Sequence, residues 1–102
     1  MRISASEQVQ TWLSGLPPES KRQVRTALRN LERSARSLDL KALRGELEGF
    51  HRLRLGGDRI IYHHGGGKIV YLDYADLRDE VYEAFKRLRI LRELGEEPQS
   101  PS

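Results

Sequence analysis

Residues 50–74 read FHRLRLGGDRIIYHHGGGKIVYLDY, an alternation of apolar and polar residues that glycines interrupt twice. The interruptions are Gly56-Gly57 and the run at 65–67. A two-residue period bounded by glycine turns is typical of β-hairpins. The segment therefore predicts three antiparallel strands, over residues 50–55, 59–64 and 68–74.

The two glycine turns also predict which residues face each other across the strands. A two-residue loop at Gly56-Gly57 places Arg54 opposite Arg59, and a three-residue loop at 65–67 places Arg59 opposite Asp73. One face of the sheet then collects Leu53, Leu55, Ile60, Tyr62, Val70 and Leu72, which we expect to be buried. The other face collects Arg52, Arg54, Arg59, His63, Tyr71 and Asp73.

The sequence before residue 50 has mostly helical periodicity. Residues 2–5 alternate and predict a short edge strand, after which Ser6 begins a helix that Gly15 ends. Pro18 opens a second helix to about Ala35. Its apolar stripe recurs at steps of three and four and consists of Val24, Leu28, Leu31, Ala35 and Leu38.

A third helical pattern follows the strands, from near Leu77 to Gly95. Together the elements predict one small α+β domain, with an antiparallel sheet, two N-terminal helices and one C-terminal helix. The predicted core consists of Trp12, Leu28, Leu31, Leu53, Ile60, Tyr62, Leu72, Val81 and Phe85. We expect the domain to span 1–94. Residues 95–102 contain two prolines and no large apolar residue, which predicts a disordered tail.

The composition excludes several classes of protein. A chain of 102 residues fits one domain, and 37% hydrophobic with 32% charged residues is unlike a membrane protein. Without cysteine, a thiolate nucleophile, a disulfide and a Cys-ligated zinc site are excluded. The N-terminus lacks the apolar segment of a secretion signal, so we expect a cytoplasmic protein without membrane contact.

The chain is basic, with a formal net charge of +3. Such an excess favours attraction to phosphates or to an acidic protein, or serves only solubility. Within the second predicted helix, Arg22, Arg25 and Arg29 recur at helical spacing and form a basic ridge. This ridge is either a solvated helix face or a nucleic-acid-binding surface.

Three arginines on the polar face of the predicted sheet carry the most information about function. Like charges directly opposite each other destabilise a sheet. Arg54 opposite Arg59, with Arg52 two residues away, therefore indicates an anion between them, such as a phosphate. The alternative is that Asp58 and Asp73 neutralise the arginines, which then only keep this face hydrated.

His63 belongs to the same polar face. An imidazole titrates near pH 6.5, so His63 is a candidate catalytic base, or else an ordinary polar strand residue. The adjacent His64 points to the opposite face, which makes the pair a poor metal chelate. The chain has neither a phosphate-binding P-loop nor a serine-nucleophile elbow. We therefore expect no metal and no cofactor.

Three spaced segments carry a family resemblance: Leu43-Arg44-Gly45, residues 49–62 (GFHRLRLGGDRIIY) and residues 76–82 (DLRDEVY). In this order they resemble motifs of the RelE/ParE superfamily, the toxins of bacterial type II toxin–antitoxin systems. The resemblance extends over residues 20–88.

The resemblance implies a compact α+β fold, an acidic antitoxin as partner, and one of two activities. RelE-like members cut mRNA on the ribosome without a metal, by driving a ribose 2′-OH onto the adjacent phosphate. ParE-like members inhibit DNA gyrase and do not cut RNA. A non-catalytic basic binding module is the third interpretation of this sequence.

The RelE-like interpretation also assigns roles by position. Arg52 and Arg54 would hold the RNA backbone, and Arg59 would stabilise charge that develops on the phosphate. Arg78 would add a further cation, and Tyr82 would hydrogen-bond or stack near the scissile bond.

The sequence departs from the family pattern at two places. Some active members carry lysines where this chain has Arg52 and Arg54, and a basic residue where it has Asp76. Arginine stays protonated and cannot readily act as a base. The resemblance therefore leaves the base unidentified, and His63 is the leading candidate.

Overall fold

Eight helices and strands follow one another along residues 2–95, the part of the chain that the computed structural model describes. They are β1 (Arg2–Ala5), α1 (Glu7–Ser14), α2 (Pro18–Arg33), β2 (Asp39–Ala42), β3 (His51–Leu55), β4 (Asp58–Gly65), β5 (Ile69–Leu77) and α3 (Glu80–Glu93). Single 3₁₀ turns occupy Ala35–Ser37 and Gly45–Leu47. This composition confirms the predicted α+β class.

Local chemistry explains where the first two helices begin. The Ser6 hydroxyl accepts a hydrogen bond from the Val9 amide at 3.2 Å and so caps α1. α2 begins at Pro18, whose missing N–H costs nothing in a first turn, where amides have no partner within the helix.

The five strands form one sheet in the order β1-β5-β4-β3-β2. β1 runs parallel to β5, and the other neighbouring strands are antiparallel. α1 and α2 cover one face of the sheet, and α3 covers the other. The sheet therefore separates the molecule into two sides.

Each face of the sheet has its own hydrophobic cluster. The first consists of Val9, Val24, Ala27, Leu53, Ile60, Tyr62, Val70, Leu72 and Ala75. The second consists of Leu47, Ile61, Val81 and Phe85. Of the predicted core, Trp12, Leu28 and Leu31 pack against the first cluster while partly exposed, and the remaining residues are buried.

The first hairpin has the predicted register, with Arg54 paired to Arg59. The register predicted for the second hairpin is wrong, because Arg59 pairs with Asp76 and not with Asp73. The turn lies at 66–68 instead of 65–67, since Lys68 adopts a left-handed φ of 58°.

A β-bulge adds to this difference. The register shifts between Ile61 and Tyr62, which pair with Tyr74 and Leu72, so Asp73 is the extra residue on β5. As a result Asp73 and Tyr74, although consecutive, both contact residues on the α3 side of the sheet.

The sequence pattern does not predict β2, which pairs with β3 at the edge of the sheet. α2 ends at Arg33, short of the expected Ala35, and Leu38 reaches the first cluster from the chain that follows the helix. α3 begins at Glu80, later than predicted, because β5 continues to Leu77.

Apart from Gly95, the predicted tail at 95–102 lies outside the described residues. Between residues 2 and 95, no helix has both the length and the apolar character needed to cross a membrane.

Candidate functional site

A line of four charged residues crosses the sheet on the α3 side. Asp39, Arg54, Arg59 and Asp76 occupy paired positions in β2, β3, β4 and β5. We call these four residues the arginine row. Each end of the row is a carboxylate, so the two like charges in its centre are flanked by opposite charges.

Asp39 is the acid that contacts the arginines of β3. Its Oδ1 accepts a hydrogen bond from Arg52 Nη2 at 2.8 Å, and its Oδ2 lies 3.9 Å from Arg54 Nε. The Arg52 side chain is only 13% exposed, and its buried Nε has no partner among the described residues. Arg54, by contrast, is half-exposed. Of the acids considered from sequence, Asp73 contacts His63 instead. Burial raises the pKa of Asp58 and the charge of Arg59 lowers it, so Asp58 does interact with one of the arginines.

Arg59 is held rigidly inside the site. It is only 8% exposed, and its Nη1 donates to the backbone oxygens of Gly56 at 2.9 Å and Asp58 at 3.1 Å. Its Nε is buried and, within residues 2–95, without a hydrogen-bond partner. The guanidinium therefore fixes the β3–β4 turn while its buried Nε donor stays unused.

Arg78 joins the same turn from the end of β5. Its amide donates to the Gly57 oxygen at 2.6 Å, and its backbone has a left-handed φ of 48°. Such a conformation costs energy for a residue with a Cβ and is enriched at functional sites. Tyr82 lies in the first turn of α3 and packs against the second cluster. Arg59 thus contacts the Gly56-Gly57 turn through its side chain and Arg78 contacts it through its backbone amide, whereas Arg54 lies in the strand that leads into the turn.

His63 lies elsewhere on the α3 side and has its own partners. Its Nδ1 is 2.6 Å from Asp73 Oδ2. Its ring stacks on Tyr71, with centroids 5.0 Å apart, and meets the Phe50 ring edge-on at 5.3 Å. The side chain remains 36% exposed, so solvent reaches this group.

The environment of Asp73 combines burial with positive charge. Burial raises the pKa of this carboxyl, while the hydrogen bond from His63 and the charges of His63, Arg92 and Arg89 act in the opposite direction. The effect of burial is the larger one, so the pKa of Asp73 lies above its ordinary value even though Arg89 and Arg92 of α3 lower it.

The structure does not bring His63 to the arginine row. The two residues His63 and Arg59 are four positions apart on β4, which is about 13 Å at the usual strand rise. Ile61 lies between them, fully buried under Val81 and Phe85. The six predicted catalytic residues therefore do not form one cluster. Arg59 and Arg78 contact the β3–β4 turn, Arg52 and Arg54 lie near Asp39, Tyr82 packs against the second cluster, and His63 lies apart from them.

The other two histidines lie on the opposite face of the sheet, as their alternation predicts. The rings of His51 and His64 approach to 5.5 Å, and His51 stacks on Tyr62. Burial lowers the pKa of His51, and so does the neighbouring His64. No group of three or more side chains suited to hold a metal occurs within residues 2–95.

The basic ridge of α2 is a separate surface. Arg22, Arg25 and Arg29 are exposed, and Arg22 pairs with Glu19 at 3.0 Å. Because α2 packs on the face of the sheet opposite to α3, the ridge and the arginine row lie on different sides of the molecule.

Sequence comparison found no matching protein-family model and no matching curated protein. Solved structures do match. The toxin–antitoxin complex RelBE2 from Mycobacterium tuberculosis contains a chain with a TM-score of 0.62 and 26% identity, over 76% of this chain and 96% of that chain.

Two further structures support the same fold at lower identity. The RelB–RelE antitoxin–toxin complex from Methanococcus jannaschii matches with a TM-score of 0.61 and 17% identity, over 78% of this chain and 94% of that chain. YafQ from Escherichia coli matches with a TM-score of 0.57 and 13% identity, over 78% of this chain and 97% of that chain. The resemblance found in the sequence motifs is therefore confirmed.

Proposed function

We propose that this chain, which has the fold of the RelE-like toxins, is the toxin of a toxin–antitoxin system and cuts mRNA on the ribosome. The likeness to a chain of the RelBE2 toxin–antitoxin complex supports the first part, since it covers nearly all of that chain. The charged groups on the α3 side support the second part.

The observation that carries the nuclease proposal is the position of Arg59 and Arg78 in contact with the β3–β4 turn, with Arg54 paired to Arg59 in the neighbouring strand. Arg59 is fixed by two backbone oxygens, and Arg78 is tied to Gly57 in a left-handed conformation. Fixed cations on strands and tight turns position a phosphate backbone better than mobile side chains do.

Within this proposal the residues have distinct roles. Arg52, Arg54, Arg59 and Arg78 bind phosphates and stabilise their negative charge, and Tyr82 contacts the RNA beside them. Since His63 lies about 13 Å from Arg59 along β4, the two act on different nucleotides of one strand. The nucleophile is the 2′-OH of the RNA, and the resemblance to RelE-like members implies cleavage without a metal.

An acidic antitoxin is the proposed protein partner. Its acidic segment could bind either of two surfaces, the α2 ridge or the arginines on the α3 side of the sheet, and these lie on opposite sides of the sheet. Charge attraction predicts association that slows as salt is added. Two variants would distinguish the surfaces by their binding kinetics. One lacks Arg22, Arg25 and Arg29, and the other lacks Arg54 and Arg78.

One observation favours the second candidate, a ParE-like inhibitor of DNA gyrase. Asp76 lies directly opposite Arg59, in a position from which it repels a phosphate. Such a row could recognise a protein as readily as RNA. The non-catalytic binding module remains the third interpretation.

Cell-free translation of a defined message would test the nuclease beside a gyrase supercoiling assay. We expect ribosome-dependent cuts within codons that Arg54→Ala weakens. Arg2→Ala, which removes one exposed charge from the far edge of the sheet, is the matched control. Intact message with inhibited gyrase would transfer the proposal to the second candidate, and inactivity in both assays would favour the binding module.

A further inference from the structure

An aromatic stack lies on the α3 side of the sheet, toward the β4–β5 turn. Tyr71 of β5 pairs with His63 of β4, and their rings stack with centroids 5.0 Å apart and an interplanar angle of 19°. The Tyr71 residue is 38% exposed and belongs to neither hydrophobic cluster. The stack therefore contributes little to the core.

The second face of the Tyr71 ring is turned toward the edge of the sheet. Neighbouring strands lie about 4.8 Å apart, which is close to the separation of the two rings, so the stack runs across the strands from β4 to β5. On the other side of β5 lies β1, where Ser4 pairs with Tyr71. Ser4 is small and exposed, and no strand of the described part of the chain lies beyond β1. A planar group can therefore extend the stack over Ser4.

The orientation of the Tyr71 ring is restricted from the other directions. The ring lies against Gly65, where a Cβ would collide with it. The His63 ring, on which it stacks, contacts Asp73 through Nδ1 at 2.6 Å and meets the Phe50 ring edge-on. An aromatic ring that is already held in place loses little conformational entropy when a ligand stacks on it.

Positive charge accompanies these aromatic rings. The Arg89 guanidinium lies 4.9 Å from the centre of the Phe50 ring and donates to the Glu46 oxygen at 2.7 Å, which fixes its position. The charges of Arg89 and Arg92 both lower the pKa of Asp73, so the two arginines are within electrostatic reach of the stack. Proteins bind single-stranded nucleic acids with this combination of aromatic faces and arginines.

We propose that the exposed face of Tyr71 is a nucleobase subsite, on which one unpaired base of the message stacks. The reacting phosphate stays at the arginines of β3 and β4. The stacked base belongs to a nucleotide farther along the same strand, because His63 is about 13 Å from Arg59 at the usual strand rise. Every base has a π-face, so the subsite anchors the strand without reading its sequence. This inference rests on the proposed nuclease function and adds a binding subsite to it.

Steady-state cleavage of a message on loaded ribosomes, followed by primer extension, tests the subsite through separate values of KM and kcat. Stacking of one base contributes about 5 to 150-fold in affinity, so Tyr71→Leu should raise KM by a factor in this range. The kcat value should change little, because a base away from the reacting phosphate is bound equally in the ground state and the transition state. Tyr71→Phe keeps the aromatic face and should cleave like the parent protein.

Two further variants separate stacking from a general disturbance of the sheet edge. Ser4→Leu fills the space beside the ring while Tyr71 stays in place, so it should raise KM as Tyr71→Leu does. Ile3 is 37% exposed and its side chain points to the opposite face of β1. Ile3→Ala is therefore the matched control and should leave KM unchanged. Thermal unfolding of each variant confirms that it is folded.

Messages that carry one abasic nucleotide, placed at each position near the cut in turn, identify what lies on Tyr71. Removing the stacked base should raise KM for the parent protein, and Tyr71→Leu should then cost nothing further, because both changes remove the same contact. At the other positions the two effects should add. We expect one such coupled position, at a fixed number of nucleotides from the cut.

The other outcomes distinguish this inference from the function on which it rests. A parent-like KM for folded Tyr71→Leu or Ser4→Leu, or a raised KM that Tyr71→Phe shares, would overturn the subsite and leave the nuclease in place. A raised KM without any coupled position would mean that Tyr71 contacts the ribosome instead, which also overturns the inference. Absence of cleavage by the parent protein on active ribosomes would overturn the proposed function as well.

Discussion

Arg59 of β4 lies directly opposite Asp76 of β5, and on its other side it pairs with Arg54 of β3. The buried guanidinium of Arg59 thus has one like and one opposite charge as neighbours. The fold itself holds it in place, without a ligand. Arg59 also donates two hydrogen bonds to the β3–β4 turn, so its role in stability has to be separated from its role in binding.

Arg59→Ala should therefore destabilise the domain. Losing charged hydrogen bonds to two backbone oxygens should lower the free energy of unfolding by about 1.5 to 3 kcal/mol. Arg54→Ala removes a half-exposed side chain with one long ion-pair contact and should cost less than about 1 kcal/mol. Urea denaturation of both variants measures this, and equal costs would show that the turn contacts of Arg59 contribute little.

Asp39→Asn should strengthen binding to RNA. The change removes the carboxylate that occupies Arg52 and lies near Arg54, which frees a cation for a phosphate. The slope of log affinity against log salt should become steeper by about one for each added phosphate contact. Fluorescence anisotropy with labelled poly(U) at several salt concentrations measures the slope. Glu48→Gln removes the same charge at an exposed position and should leave this slope nearly unchanged.

Phe85→Ala should destabilise the second cluster by about 3 to 5 kcal/mol. The Phe85 side chain is 1% exposed and meets the Phe50 ring edge-on at 5.1 Å. Ile90 lies on the same helix but is more than half exposed, so Ile90→Ala should change stability by only about 0.5 kcal/mol. Chemical denaturation of the pair measures the difference, and similar values would mean that α3 is not docked as described.

Gly65→Ala should disturb the stack of Tyr71 on His63. A Cβ at position 65 would collide with the Tyr71 ring and approach Ile69 Cγ2 to 2.8 Å. Overpacking of this kind costs about 1 to 3 kcal/mol. At Gly66 a Cβ would meet nothing within 4 Å, so Gly66→Ala is the matched control. Thermal unfolding and the ring proton shifts of His63 would report the effect, and unaltered shifts would count against the close approach.

Tyr62→Phe should protect the fold against alkaline pH. Burial raises the pKa of Tyr62 above its ordinary value. A group whose pKa is higher when folded contributes full stability below its unfolded pKa of about 10, and that contribution is lost as pH rises through the folded value. Phenylalanine cannot ionise, so the variant should lose less stability as pH rises above about 10.

Tyr71→Phe removes a more exposed hydroxyl and is the control for Tyr62→Phe. A Tyr62→Phe variant that follows the parent protein over the whole alkaline range would contradict the role of this buried hydroxyl.

The sequence predicts the first hairpin well, because the Gly56-Gly57 turn allows one short loop and the alternation beside it allows one buried face. The second hairpin is harder to predict. Three consecutive glycines permit more than one position for the loop. In the structure the loop follows Gly65 and ends with Lys68 in a left-handed conformation. The bulge at Asp73 has no signature in the residue pattern.

The main omission at the candidate site, Asp39, follows from β2. That strand has four residues, of which only Leu40 is partly buried, and Leu38 just before it continues the helical stripe of α2. Local periodicity therefore predicts that the helix continues, whereas the strand forms because these residues pair with β3. The sequence predicts that Asp73 lies in a strand, but it does not predict its partner. The contact with His63 depends on the register of β4 with β5.

The parallel pairing of β1 with β5 sets the order in which the chain can fold during synthesis. The Ser6 hydroxyl donates to the backbone oxygen of Asp73, 67 residues later, and Arg2 pairs with Ile69. β1 leaves the ribosome before β5 and thus has no strand to join until β5 has emerged. Closing so long a loop is a late and entropically costly event, so the sheet edge should form after the β3–β4–β5 meander. A nascent chain stalled before residue 69 would carry α1 and α2 without the sheet surface that buries them.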